Sequence, residues 1–205
     1  MTMPGVELPP LIGESQAFME LMDQVSAVAP LDRPVLVIGE RGSGKELIAS
    51  RIHYLSRRWD RRFVQLNCAA LAESLLESEL FGHEAGAYTG ASKRRVGRFE
   101  LADRGSLFLD EVANASQQVQ EKVLRIIEYG TFERVGGNET VAVDVRVIGA
   151  TNVDLPSEAG AGRFRHDLLD RLSFDVLTIP PLRRRQDDVP VLVEHFGRAI
   201  AMELA

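Results

Sequence analysis

Pro34-Val-Leu-Val-Ile-Gly-Glu-Arg-Gly-Ser-Gly-Lys-Glu46 decides the fold of this chain. Its first half is short, apolar and β-branched, the composition of a strand buried on both faces as in a parallel sheet. Its second half, Gly39-Glu-Arg-Gly-Ser-Gly-Lys45, has the spacing G-x-x-x-x-G-K, and a helix is predicted to follow from Lys45 to Leu55. Such glycines let backbone N–H groups turn inward around a polyphosphate, and the helix N-terminus adds positive potential. Gly39, Glu40, Arg41, Gly42, Ser43, Gly44, Lys45 and Glu46 are therefore the candidate phosphate-binding residues, with Lys45 reaching toward the β- and γ-phosphates. The plainer alternative is an ordinary glycine-rich βα turn. Glu46 stands where Ser or Thr would place a hydroxyl on magnesium, so Mg²⁺ must be held by phosphate oxygens, water and another carboxylate.

Working outward, Phe63–Leu66, Ser106–Leu109, Val143–Ala150 and Phe174–Ile179 repeat the strand signature, with room for a helix between each pair. Ahead of the loop, Phe18, Leu21, Met22, Val25 and Val28 recur at helical spacing. This alternation predicts an α/β fold, a doubly wound parallel sheet flanked by helices in three α/β/α layers. Gly136-Gly137, between β-favouring residues, predicts a hairpin within Thr131–Val143, and Asp187–Ala205 reads as a last amphipathic helix.

Composition narrows the class. The 205 residues are 45% hydrophobic and 26% charged, which suits one globular domain and excludes wholesale disorder. A net charge of -6 argues against nucleic-acid binding by bulk charge alone. The lone Cys68 cannot close an intrachain disulfide, no apolar run is long enough for membrane insertion, and Met1–Pro10 lacks the features of a leader, so a cytoplasmic protein is expected.

The missing carboxylate is available in Ser106-Leu-Phe-Leu-Asp-Glu111, a buried strand ending in two acids. Parallel strands deliver such residues to the edge that carries the phosphate loop. Asp110 is assigned to Mg²⁺, and Glu111 to orienting and deprotonating an attacking water. Asn67 and Asn152 fall at the same edge; either one senses the γ-phosphate or holds Glu111, or each simply caps its own turn.

Gly86-Ala-Tyr-Thr-Gly-Ala91, preceded by Glu79-Leu-Phe-Gly-His-Glu-Ala85, strongly resembles the surface loop of the AAA+ activators of sigma-54 RNA polymerase. In that family the phosphate loop with glutamate after lysine is the usual Walker A form; Ser106–Glu111 resembles its Walker B, Ala150-Thr-Asn152 its sensor I, and Phe164–Leu172 its arginine-finger helix. The resemblance runs from about Leu11 to the end. It implies an AAA+ P-loop NTPase core over 11–205 after an extension at 1–10. It further implies ATP with Mg²⁺, a homo-hexameric ring, and remodelling of the closed sigma-54 promoter complex through Gly86, Ala87, Tyr88, Thr89, Gly90 and Ala91. The family loop usually carries Phe where this chain has Tyr88; otherwise the two glycines merely shape a flexible surface loop. Ala29-Pro-Leu-Asp-Arg-Pro-Val35 and His53-Tyr-Leu-Ser-Arg-Arg-Trp59 are similar to the branch of the family that controls phage shock genes.

The resemblance assigns Arg165 and Arg171 to the γ-phosphate of a neighbouring subunit, as charge-stabilising fingers beside the catalytic set of Lys45, Asn67, Asp110 and Glu111. The plain alternative for Arg171 is an ion pair with Asp167, one helical turn earlier. Trp59, between Arg57-Arg58 and Arg61-Arg62, is either a contact for an inhibitory phage shock protein A or a half-buried aromatic between solvated arginines. The family's helical lid, with its sensor II arginine, and its enhancer-binding helix-turn-helix have no counterpart in these residues. DNA binding is therefore not expected of this chain alone, and one wall of the adenine pocket is expected to be missing, with slow hydrolysis and weak ring assembly. Three rival classes share parts of this pattern: a GTPase, for which Thr151-Asn-Val-Asp154 lacks the guanine-reading lysine; a general AAA+ remodelling ATPase with another protein client; and a noncatalytic nucleotide-dependent module.

Overall fold

The computed structural model describes residues 10–203. Apart from Pro10, the expected N-terminal extension lies outside the described residues. The helices are α1 (Gln16–Val28), α2 (Lys45–Tyr54), α3 (Glu73–Phe81), α4 (Arg98–Leu101), α5 (Gln117–Tyr129), α6 (Leu155–Gly160), α7 (His166–Leu172) and α8 (Asp188–Glu203). The strands are β1 (Val35–Ile38), β2 (Phe63–Asn67), β3 (Ser106–Asp110), β4 (Thr131–Glu133), β5 (Thr140–Ala142), β6 (Arg146–Thr151) and β7 (Asp175–Thr178). Five of these strands form one sheet in the order β2-β3-β6-β1-β7, every neighbouring pair parallel.

Alternation along each central strand builds the two faces. Val35 and Val37 of β1, Phe108 of β3 and Ile148 of β6 pack with Leu21 and Val25 of α1 and Ile48 and Ile52 of α2. Leu36, Leu107, Leu109 and Val147 point the other way, onto Leu76 and Leu80 of α3, Val119 and Val123 of α5 and Leu168 and Leu172 of α7. The result is the expected three-layer α/β/α arrangement. Caps set the helix ends: Ser15 accepts from the Phe18 amide at the start of α1, and Ser116 from the Val119 amide at the start of α5.

The hairpin predicted around Gly136-Gly137 is present, with Thr131 opposite Ala142 in an antiparallel pair. The strand expected from Val143 instead begins at Arg146. The Val143 amide donates to Gly130, prolonging the hairpin, and the Asp144 carbonyl turns out to accept from Arg104 and Arg58, so the chain enters the sheet three residues later. The last predicted helix is α8. Its first residue, Asp188, is fully buried, whereas Val193, Phe196 and Ile200 are 67%, 57% and 56% exposed.

Candidate active site

Because the sheet is parallel, the ends of β1, β6, β3 and β2 share one edge, and register fixes who stands beside whom. Ile38 lies opposite Thr151, and Asn67 opposite Asp110. The Gly39 amide donates to the Thr151 carbonyl, so the chain leaves the sheet directly into the phosphate loop. Gly44 takes φ 93° as the residue before α2, a left-handed conformation that L side chains resist. Lys45 then opens α2 and returns its side chain into the loop. Its Nζ donates to the carbonyls of Gly39 at 3.2 Å and Glu40 at 3.4 Å, and it lies 3.5 Å from Glu111 Oε1.

Glu111 follows β3 with φ 51° and ψ 48°, a backbone region costly for a side chain of this size, and it is only 7% exposed. Strain of this kind is held in place by surrounding structure and clusters at functional sites. Here it turns the carboxylate from the strand end onto Lys45. Asp110 keeps extended geometry and accepts from the Glu111 amide at 3.0 Å and from Asn67 Nδ2 at 2.9 Å. Of the two expected roles for Asn67, holding Glu111 is not what the structure shows: the register pairs Asn67 with Asp110, and its Oδ1 accepts from the Ala69 amide at 2.8 Å. Asn152 is exposed one residue beyond β6, at the same edge. Cys68 is sealed beneath the two acids; burial, with the charges of Asp110 and Glu111, pushes its thiol up to about 12, which makes it a packing residue.

Beside the loop lies a cleft of about 320 Å³ bounded by Gly42, Leu47, Ile12, Ile179, Leu182 and Phe196. It combines apolar walls with a cradle of backbone N–H groups, which suits a flat ring attached to phosphates. The wall expected to be missing is supplied in part by Leu192 and Phe196 of α8. Two residues around this cleft escaped the sequence reading. Arg183 forms a two-pronged pair with Glu40, at 2.7 and 2.8 Å, and this hydrogen-bonded pairing holds the Glu40 carboxyl below its ordinary range. Arg185 lines the cleft with its guanidinium over the Phe18 ring, 5.6 Å from the centroid, and its Nε is buried without a partner. The run of three arginines after Pro180-Pro181 was the available signal. Ser43 Oγ is also buried and unpartnered within the loop itself. Asp188 anchors this wall: burial alone would raise its carboxyl, but donation by the amides of Ser15 and Glu14 and by the Ser15 hydroxyl outweighs that and lowers it.

Magnesium can be tested against these groups. No cluster of three or more His, Cys, Asp or Glu exists among the described residues. A cation that prefers one or two carboxylates plus phosphate oxygens and water still fits the edge, where Asp110 offers it a carboxylate.

The remaining predicted residues stand elsewhere. Arg165 precedes α7 and binds Asp167 at 2.7 Å; Arg171 binds Glu128 at 2.9 Å. The Asp167–Arg171 pair, the plain alternative for Arg171, is not formed, since Asp167 is already taken by Arg165. Neither arginine bonds a residue of its own phosphate loop. Trp59 is 47% exposed, but Arg58 is not solvated as the plain alternative supposed: it bonds both Asp32 and Asp144 and reaches the Gly105 carbonyl. In the Gly86–Ala91 loop, the Gly86 amide donates to Ala91 and the Ala91 amide to Tyr88, closing the loop on itself. The legs are joined at the base by a His83–Arg95 bridge and by Arg134, which bonds Glu84 and Glu100.

Comparison with known proteins places this geometry. Residues 11–178 match the family model of the sigma-54 interaction domain. The chain is 61% identical over 194 residues to the Psp operon transcriptional activator of Escherichia coli (strain K12), covering 95% of this chain and 60% of that protein. It is 56% identical over 184 residues to the Nif-specific regulatory protein of Azotobacter vinelandii, covering 90% of this chain and 35% of that protein. The chain thus spans roughly a third to three fifths of these curated relatives. The crystal structure of NtrX from Brucella abortus in complex with ATP superposes with a TM-score of 0.88 at 40% identity, covering 95% of this chain and 42% of that one.

Proposed function

The chain belongs to the sigma-54 interaction domain family, with an AAA+ P-loop NTPase core, and on that premise we propose that it hydrolyses ATP to remodel the sigma-54 RNA polymerase closed promoter complex and so permit open complex formation. Its similarity to the Psp operon activator supports a role in controlling phage shock genes, in the cytoplasm. Among the described residues no helix is long and apolar enough to cross a membrane. The observation that carries the reading is the buried Lys45–Glu111 pair at the edge of the phosphate loop, with Glu111 held in a strained backbone.

The chemistry follows from the residues. Lys45 is held by two carbonyls and one carboxylate, all of which phosphate oxygens can replace, so it neutralises charge on the terminal phosphates. Glu111, released from Lys45, accepts the proton of the attacking water. Asp110, oriented by Asn67, would hold Mg²⁺, which would supply charge neutralisation on the phosphates. Asn152 senses the γ-phosphate from the end of β6. Gly39–Glu46 and the apolar cleft seat the nucleotide.

Arg165 and Arg171 serve a neighbouring protomer of a homo-hexamer, where a guanidinium stabilises transition-state charge without proton transfer. Gly86–Ala91 contacts sigma-54. Trp59, exposed beside Arg57 and Arg61, is the contact for an inhibitory phage shock protein A. The decisive experiment is capture of purified sigma-54 by this chain with ADP and aluminium fluoride, alongside Tyr88→Ala. Nucleotide-dependent capture lost in Tyr88→Ala is expected; hydrolysis stimulated by unfolded protein, without capture, would instead identify a general AAA+ remodelling ATPase.

A further inference from the structure

Tyr88 is 46% exposed, yet its ring and hydroxyl both face inward contacts. The ring lies edge-on to His83, with centroids 5.1 Å apart and planes at 62°. The hydroxyl is 3.4 Å from both Ser78 Oγ and His83 Nδ1, which are themselves 2.7 Å apart. One order of donors satisfies all three groups: Tyr88 donates to Ser78, and Ser78 donates to His83 Nδ1.

The two halves of this contact differ in rigidity. Ser78 is 2% exposed in α3, and His83 is 6% exposed and fixed through its backbone to Arg95 and beside Val135. The Gly86–Ala91 loop, by contrast, closes on itself through two backbone hydrogen bonds, with Gly86, Tyr88, Thr89 and Gly90 exposed. Among the described residues, Tyr88 is the one side chain of this loop with a hydrogen-bond partner. A second support is steric. Gly136, in the hairpin turn at φ 71°, lies so close to Ala87 that a Cβ there would stand 2.6 Å from the Ala87 Cβ. That contact has no polar component.

We infer that the Tyr88 hydroxyl is a positioning group that latches the Gly86–Ala91 loop back onto the Ser78–His83 pair and so sets how readily the loop is released toward a partner. The inference deepens the sigma-54 reading and rests on it for its functional meaning, although the latch itself is a property of this chain. A phenylalanine at position 88 keeps the ring on His83 and loses the tether. The ring that a partner would bury is therefore partly committed to its own domain, and release breaks one hydrogen bond before any new surface is covered. A long, partly solvated hydrogen bond has the strength for a tunable hold.

The test needs no partner. Hydrogen exchange is read at the amides of Gly86 and Ala91 in the 205-residue chain, in Tyr88→Phe, in Ser78→Ala and in the double variant, with the Leu109 amide of β3 reporting whether the core is intact. Tyr88→Phe is expected to exchange about fivefold faster at the loop amides, the effect of losing one hydrogen bond, and Ser78→Ala by no more than that, because the hydroxyl still reaches His83 Nδ1. The double variant is expected to match Tyr88→Phe, because once the Tyr88 hydroxyl is gone the loss of Ser78 removes nothing further from the tether. Loop exchange in Tyr88→Phe equal to that of the parent, or a double variant faster than Tyr88→Phe by about a further fivefold, would overturn the latch. Sigma-54 capture is measured on the same samples. Faster exchange in proteins that never capture sigma-54 keeps the latch and removes the partner reading; capture without any exchange difference keeps the partner reading and removes the latch.

Discussion

The phosphate-loop edge and the Gly86–Ala91 loop are both built from glycines, charges and short polar contacts, yet they are held in opposite ways. At the edge, the parallel sheet brings Lys45, Asn67, Asp110 and Glu111 together; burial holds Lys45 and Glu111, and hydrogen bonding holds Asn67 against Asp110. The loop has no register. Its legs are fastened by two isolated β-bridges of His83, to Arg95 and to Val135, by Arg134 and by the Tyr88 contact. Chemistry that needs sub-ångström placement sits on the sheet, and the segment proposed to move sits where few contacts must break.

The largest expected effect tests the edge. Glu111→Gln keeps shape and burial but removes the base and the charge facing Lys45; turnover should fall about 10³-fold, within the range for loss of a general base, with nucleotide still bound. ATP turnover and equilibrium nucleotide binding measured on the same variant check it, and parental turnover would remove Glu111 from the chemistry. The next effect tests the loop's base. Arg134 is 5% exposed and pairs with Glu84 and Glu100, so Arg134→Ala leaves the two carboxylates only the exposed Arg94, at 3.8 and 3.9 Å, and the Gly97 amide, and the loss of two charged hydrogen-bonded pairs should cost about 3 kcal/mol in urea unfolding. If the two regions are as separate as the contacts indicate, the Lys45–Glu111 edge should keep its nucleotide affinity in that variant.

The same contrast explains what the sequence made legible. The strand-loop-helix around Lys45, the acids after β3 and the hairpin at Gly136-Gly137 were readable because each is a local pattern with a fixed period or turn. Asn67 was legible as an edge residue, but its roles stayed open, and only the register that sets it opposite Asp110 shows which acid it meets. Helical spacing offered Asp167 as the plain alternative partner of Arg171, whereas Arg165 claims that carboxylate from the residue before α7 and Glu128 of α5 takes Arg171. Glu40–Arg183 joins residues far apart in the chain, and no local period announces it. The inward turn of Tyr88 was equally hidden, because the motif describes the loop and not the α3 surface on which it rests.

A smaller effect separates the two regions by acid. His53, in the helix that Lys45 begins, is fully buried against Phe63, with Nδ1 3.0 Å from Ser106 Oγ. Burial pushes its imidazole down to about 4. The unfolded chain therefore takes up a proton near pH 6.5 that the folded chain refuses until about pH 4, so this contribution to stability is present above 6.5 and is lost as pH falls between those values. Urea unfolding at pH 7.5 and pH 5 should differ by about 2 kcal/mol more in the parent than in His53→Gln. Equal pH dependence in the two would show that the helix beneath the phosphate loop carries no such penalty.

The smallest effect lies at the mouth of the cleft. Glu40 and Arg183 are both mostly solvent-exposed, and an exposed pair of this kind contributes little even with two-pronged geometry, because water and salt screen it. Arg183→Ala should therefore change nucleotide affinity by less than about fivefold, with the difference shrinking as salt is raised. A loss far beyond that, persistent in high salt, would mean that Arg183 touches the nucleotide itself. The phosphate-loop edge would then extend past the sheet to the segment following β7, and register alone would no longer account for how it is held.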